Sequence, residues 1–441
     1  MLAFADVKTN LTTGPAPKVA LALAIIWALG LQPLAVPMLG GAVWLLHLRT
    51  RKGQWRKARW WLFFLATTTV SVLMVDGGER LTAWGFRQAH YVAVGLVFVS
   101  YASSRNRMDA SEFERICSFI MWTAVSFGWL SLAVGDLGFT SPLSAIYPEG
   151  LKSSFLIRDA LSVELGTQNK FLSVSTVRAQ APFVYTNEWG AVIAVTFPIA
   201  MQRWISAGRS VPLALLVVAA PAVTSLNRGM WVLIPLGFAV LLAKYRGQAV
   251  LKVRFMALAG AAVVIAVLLA SGLGAAFTER TSSEGHSDEF RSTLYRASVE
   301  EWQKSPIIGH GAPVKRPDLD RITGGISVGT HGHLWTLIVA SGGLGLLFHL
   351  AFFGKLIRKA ARTPGLPAAA NFAALVVFIA SHLIYGVTPY LLLVAMLIGV
   401  AVNKRWQAAR LVRRKQWLSG EAEAEQAATM LTVPDRAWIE A

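Results

Sequence analysis

The 441-residue chain is 54% apolar and only 15% charged, with sixteen Trp and a mean hydropathy of +0.50, which excludes an ordinary soluble domain and points to a polytopic membrane protein. Its formal charge of +18 would suggest nucleic acid in a soluble protein. Here the bases sit in short loops between apolar spans, so they report topology and contact with anionic lipid headgroups, and no nucleic-acid partner is expected. The single Cys117 excludes an intramolecular disulfide, and no Cys/His set has zinc spacing.

Residues 1–17 are polar and lack a charged region followed by a cleavage signature, so the first apolar span is expected to stay as an anchor behind a cytoplasmic N-terminus. Residues 19–48 are long for one span and carry Pro33 and Pro37, which predicts a hairpin of two short helices broken at the prolines. Arg49, Arg51, Lys52, Arg56, Lys57 and Arg59 follow as the strongest cytoplasmic signal. Spans are then expected at 60–75, 84–101 and 113–134, leading to a long outer loop at 135–182 whose four acids and four bases cancel.

Further spans are expected at 183–204, 211–226, 229–243 and 255–273, with a very tight outer turn at Asn227-Arg228. A second long outer loop, 274–333, carries eight acids against seven bases, and spans at 334–353, 372–385 and 391–402 complete the set. The prediction is an all-α, polytopic membrane protein of about 12 transmembrane helices with two long extracytoplasmic loops. Its parts are a cytoplasmic N-terminus (1–17), helices 1–9 (18–273), the large loop (274–333), helices 10–12 (334–403) and a basic, then acidic, cytoplasmic tail (404–441). Every strongly basic loop then falls on one side and both balanced loops on the other.

A loop as long as 274–333 is seldom a mere connector, so it reads as the working surface. Arg291 opens a stretch with helical apolar spacing, Leu294, Tyr295, Ser298, Val299 and Trp302, which suggests an amphipathic helix along the membrane surface. Four polar residues stand out. His331 precedes a span at the outer interface, where a neutral imidazole could take a proton from a hydroxyl. Arg228 lies between apolar spans, where a guanidinium is costly unless it holds an anion. Arg178 precedes the run from Ala181 to Asn187 that enters the 183–204 span, and Arg291 lies in the large loop. Three arginines and a histidine on one side suit a diphosphate and an incoming hydroxyl, because Arg binds phosphate oxygens bidentately and keeps its charge.

Each has a plainer reading. An interfacial His is commonly a wet helix end, and Arg178 and Arg291 in polar loops would be solvated or paired with acids such as Asp288 and Glu289. His90, His349 and His382 fall inside spans and read as packed against other helices, Gly309-His310-Gly311 reads as a turn, and Glu300-Glu301 as a solvated face.

The run Arg291-Ser-Thr-Leu-Tyr295, then Pro306-Ile-Ile-Gly309-His-Gly311, then His331 with Gly342 and Gly345 in the next span, resembles the O-antigen ligase and polysaccharide polymerase superfamily. Ala181-Pro182-Phe183 to Asn187, preceded by Arg178, and Thr224 to Gly229 resemble two earlier segments of that family. Gly332 stands where the family usually has Asn, and Ala340 where it usually has Glu. The resemblance implies a bacterial inner-membrane, metal-independent, inverting glycosyltransferase with no cofactor, working on the extracytoplasmic face. Its donor would be an undecaprenyl-diphosphate-linked glycan. The acceptor would be a lipid A core or other hydroxyl for a ligase, and another lipid-linked repeat for a polymerase. His331 would assist or deprotonate the acceptor, Arg228 and Arg291 would bind the diphosphate, and Arg178 would support them. His333 competes for the basic role, and Asn187 and Tyr295 are supporting candidates. Two other classes remain open at this point, a secondary transporter or flippase using His90, His349 and His382, and an envelope scaffold.

Overall fold

The first hairpin turns at a glycine. Helix α1 (Pro15–Ala28) and helix α2 (Gln32–Leu46) reverse at Gly30, whose φ of 64° suits glycine and whose Cβ would lie 2.8 Å from the Ala160 carbonyl oxygen. The break therefore precedes both prolines. Pro33 sits in the first turn of α2, where its missing N–H is not needed, and Pro37 lies within the helix. These features come from a computed structural model that describes residues 15–46, 55–102, 108–148, 155–171, 174–244, 285–386 and 388–431.

Helices α3 (Arg59–Val70), α4 (Gly78–Tyr101) and α5 (Ala110–Val134) follow. The expected all-α fold needs one correction, because the first long loop contains strands. β1 (Gly138–Thr140) pairs antiparallel with β2 (Ser162–Glu164), which follows a short helix α6 (Phe155–Leu161). β3 (Gly166–Phe171) forms a hairpin with β4 (Val174–Ala179), with Thr167 opposite Arg178. Val163, Leu165 and Ala181 seat this cap against Trp27 and Phe127 of α1 and α5. Helix α7 (Thr186–Ser206) is the axis of the bundle, with every residue from Glu188 to Gln202 buried. Helices α8 (Val211–Thr224) and α9 (Arg228–Lys244) pack beside it, and the span expected at 255–273 lies outside the described residues.

The second loop supplies α10 (Gly285–Lys304) and the single turn α11 (Asp320–Thr323), and then come α12 (His333–Arg362), α13 (Leu366–Ser381) and α14 (Pro389–Leu431). Of the spans expected, three stand among the described residues as helices long and apolar enough to cross a bilayer: Ala110–Val134, His333–Arg362 and Pro389–Arg413. Four other apolar helices, α1, α2, α8 and α13, are shorter.

Helix α12 is not straight. Gly342, at φ 64° and ψ −171°, leaves the helical region. His333 and His349 would be about 24 Å apart on a continuous helix, yet their ring centroids are 5.2 Å apart. The chain therefore folds back on itself at Gly342. The long arm runs on to Arg362, and the short arm, His333 to Ser341, lies alongside its beginning, with His333 about 13 Å along that arm from the bend.

One end of the bundle is held by buried polar contacts. Glu114 of α5, 2% exposed, accepts two bonds of 2.5 Å from Arg405 of α14 and one of 2.6 Å from Asn371 of α13. At this same end Lys57 donates to the Ala102 carbonyl, Lys359 to Asn403, Lys404 to the Met108 carbonyl and Lys244 to the Ala361 carbonyl. Among the described residues, bases that border the basic segments of the sequence thus gather at one end. Arg178, Arg228, Arg291 and His331 lie toward the other.

Candidate active site

The turn between α8 and α9 is the centre of the site. Leu226 adopts a left-handed φ of 52°, which no β-carbon favours, so the turn is held from outside. Asn227 does this with both ends of its amide. Its Oδ1 caps α9 by accepting the Met230 N–H at 3.2 Å and also accepts the Tyr385 hydroxyl, while its Nδ2 donates to the Thr186 carbonyl at 3.1 Å. Two glycines admit these contacts, since a Cβ on Gly190 would lie 2.2 Å from Asn227 Nδ2 and one on Gly229 2.5 Å from the Tyr385 oxygen. The ends of α7, α8 and α9 and the segment after α13 are thereby tied together, and Arg228 begins α9 at that knot.

Strand β4 carries Arg178 to the same turn, where its Nε donates to the Ser225 carbonyl at 2.8 Å. The start of α12 docks there too. The His333 N–H donates to the Tyr385 carbonyl at 2.7 Å and the Leu334 N–H to the His382 carbonyl at 3.0 Å, so the free donors at the start of α12 meet the free acceptors after α13. Gly332 makes this approach possible. Its φ is 93°, and a Cβ would lie 2.8 Å from Trp335 Cδ1 and 3.1 Å from the carbonyls of His382 and Leu383, which explains the absence of Asn here.

The Pro306-Ile-Ile-Gly309-His-Gly311 run is a clamp on the α12 bend. Breaking the helix strands N–H groups on one side and carbonyls on the other. The Pro306 and Ile307 carbonyls accept the N–H groups of Gly343 and Leu344 at 2.7 and 3.2 Å, and the N–H groups of His310 and Gly311 donate to Val339 and Ala340 at 2.8 and 2.9 Å. Glycine is required on both partners, because a Cβ on Gly309 would lie 2.5 Å from the Gly342 nitrogen and one on Gly342 2.3 Å from the Ile307 oxygen. Arg80 and Arg87 of α4 hold the far side of the clamp by donating to the His310, Ala312 and Gly311 carbonyls.

Helix α10 does not show its apolar face outward. Leu294 and Ala297 are buried against Ile338 and Val339 of the short arm, and Tyr295 stacks on Trp335 at 4.8 Å. Glu301, expected on a solvated face, is 2% exposed and binds Lys304 at 2.6 Å and Arg316 at 2.9 Å, and Arg316 also holds Glu300 and Asp318. Burial opposes the charge of Glu301, but the bonds from Lys304 and Arg316 outweigh it and leave its pKa below the usual value. The paired acids therefore fasten the loop to α10. The side chains of Asp288 and Glu289 lie outside the described set.

Packing of α10 brings Arg291, an exposed residue, over the site. Phe290 meets the His331 ring edge-on at 5.1 Å. Burial, and secondly the charge of Arg291, hold the His331 pKa below its ordinary value, so the imidazole is neutral near pH 7. The charges of Arg291 and Arg178 both act on Tyr385. His331 is half-buried and bonded through Nδ1 to the Thr330 hydroxyl at 3.2 Å, whereas its competitor His333 is 2% exposed and faces inward. Asn187 is exposed at the start of α7, beside Thr186.

The sequence-derived residues Arg178, Arg228, Arg291 and His331 thus surround the Asn227–Tyr385 knot, and Tyr295 acts one layer behind through Trp335. Tyr385 was not singled out from sequence, for it lies 158 residues from its partner Asn227 and belongs to no local pattern. Such an arrangement can bind an anion with arginines and receive a proton on an imidazole. Residues 190–350 match the family model described as O-antigen ligase, which supports the O-antigen ligase and polymerase superfamily for this chain. No curated protein matches the chain.

Proposed function

We propose, on the premise that the chain belongs to the O-antigen ligase and polymerase superfamily, that it transfers a glycan from undecaprenyl diphosphate to a hydroxyl acceptor, in the manner of an O-antigen ligase. The observation that carries this reading is the bond of Arg178 to the turn that leads into Arg228, with the charge of Arg291 acting on both Tyr385 and His331 beside it.

In this reading the diphosphate docks among the arginines. The acceptor hydroxyl attacks the anomeric carbon from the opposite face and its proton passes to His331. The carbon–oxygen bond to the diphosphate breaks, and its electron pair leaves with undecaprenyl diphosphate, whose charge the guanidinium groups stabilise without a metal at the reacting atoms. One displacement inverts the anomeric centre. The gathering of Lys57, Lys244, Lys359 and Lys404 at the opposite end supports a cytoplasmic assignment for that end, and hence an extracytoplasmic site in a bacterial inner membrane with both termini cytoplasmic.

A polymerase shares this chemistry and differs only in its acceptor. Purified protein given one lipid-linked glycan and two acceptors, a lipid A core and a second lipid-linked repeat, is expected to glycosylate the first. Preference for the second identifies a polymerase. His331→Ala is expected to lower transfer about 10²–10⁴-fold, and Arg291→Ala about 10²–10³-fold. Undiminished transfer in both variants overturns the proposal.

A further inference from the structure

Behind the transfer site lies a second constellation that the proposed reaction does not use. His333 opens the short arm of α12, His349 sits on the long arm beyond the bend, and His382 follows the last residue of α13. The three are 2%, 0% and 3% exposed. Their ring centroids form a nearly equilateral triangle with sides of 5.2, 4.9 and 5.1 Å. One ring nitrogen from each lies within 4.8 Å of the other two.

The hydrogen bonds of this cluster do not close. His382 Nδ1 lies 2.7 Å from the Phe378 carbonyl, which can only accept, so the proton is on Nδ1 and the Nε2 lone pair faces inward. His349 Nε2 lies 3.0 Å from that lone pair and must donate to it, which leaves His349 Nδ1 as a lone pair, buried and without a partner. His333 Nε2 is likewise buried and unpartnered. Leaving a buried polar atom unsatisfied is costly, and neither a carboxylate nor a hydroxyl is among the bonds seen at these rings.

We propose that His333, His349 and His382 bind a divalent transition cation of the zinc type. Neutral imidazoles favour such ions, whereas Mg²⁺ and Ca²⁺ require oxygen donors. Tetrahedral zinc, with bonds of about 2.0–2.1 Å, places its donor atoms about 3.3 Å apart. The His349 Nε2–His382 Nε2 separation of 3.0 Å already approaches that value, and coordination there shifts the His349 proton from Nε2 to Nδ1 so that Nε2 offers its lone pair. The bond from His382 to the Phe378 carbonyl is the outer contact that usually fixes a metal-bound imidazole in its tautomer. Coordination would give the His333 nitrogen a partner and tie both arms of α12 to the end of α13. Gly332 joins His333 to His331, so the metal would set the position of His331 without entering the transfer step.

The test uses full-length protein in detergent, freed of any polyhistidine tag and stripped with chelator, and titrated with Co²⁺ as the probe. One equivalent of Co²⁺ with the visible absorption of a four-coordinate ion is expected, competed away by Zn²⁺ and not by Mg²⁺. His349→Gln and His382→Gln are each expected to weaken binding at least tenfold, whereas His331→Gln retains it. Absence of stoichiometric Co²⁺ binding by wild-type protein that remains monodisperse overturns the proposal, and so does binding unaffected by either substitution. This readout is independent of glycan transfer, so the metal site and the transferase reading can fail separately.

Discussion

Tyr385 shows how much one side chain decides here. Its hydroxyl holds the Asn227 amide that caps α9, and its carbonyl receives the first N–H of α12, so one residue sets both Arg228 and the segment bearing His331. Tyr385→Phe keeps the backbone bond and removes the hydroxyl, with an expected cost of about 1 kcal/mol in stability. A thermal melt and a transfer assay together check this. Transfer should fall more than stability alone explains, and Asn227→Ala should be more severe because α9 also loses its cap. At this scale the sequence was readable where chemistry announces itself. Arg228 stood out as a cation between apolar spans and His331 as an imidazole at a span boundary, while Tyr385 looked like one more aromatic at a helix end.

The bent α12 and its clamp govern the next scale. Gly309 and Gly342 have φ of 70° and 64°, and each faces the backbone of the other at a distance that no side chain fits. Gly342→Ala forces a left-handed residue, which alone costs about 1–2 kcal/mol, and it also drives a methyl into the Ile307 carbonyl. The variant is expected to lose transfer while remaining inserted in the membrane, as limited proteolysis of the 306–330 loop would show by faster cleavage. Arg316→Ala should act in the same region by taking from buried Glu301 its bond to Arg316, also exposing the loop to protease. The glycines were visible as a spaced motif in the sequence, but their purpose was not, because a G-x-G run reads as a turn until its partner across the chain is known. The strands of the first loop were missed for a related reason: β1 pairs with β2 across more than twenty intervening residues, and strands this short carry little alternation.

Across the whole molecule, apolar helices were legible because a bilayer imposes length and composition, and three described helices are long and apolar enough to cross one. Hydropathy, however, sees a run of apolar residues and not its direction, so the bend of α12 at Gly342 could not be read from it. The histidine cluster was invisible for the same reason, since positions 333, 349 and 382 match no local metal motif and meet only because the helix folds. The end opposite the site depends on Glu114, and Glu114→Ala should destabilise the bundle by about 3 kcal/mol, because Arg405 and Asn371 lose a buried partner. Thermal stability in detergent should fall, while donor affinity in the protein that remains folded should not change.

The central claim is that separate arginines hold one diphosphate while His331 acts on the acceptor. A double-mutant cycle on donor binding tests it most directly, with the affinity of undecaprenyl-diphosphate-linked glycan measured in lipid nanodiscs for Arg228→Ala, Arg291→Ala, the double variant and His331→Ala. The account predicts that both arginine substitutions weaken binding, that they are coupled by about 1 kcal/mol or more, and that His331→Ala leaves donor affinity unchanged while lowering transfer about 10²–10⁴-fold. Strictly additive arginine effects, or donor affinity that depends on His331 and on neither arginine, would contradict it.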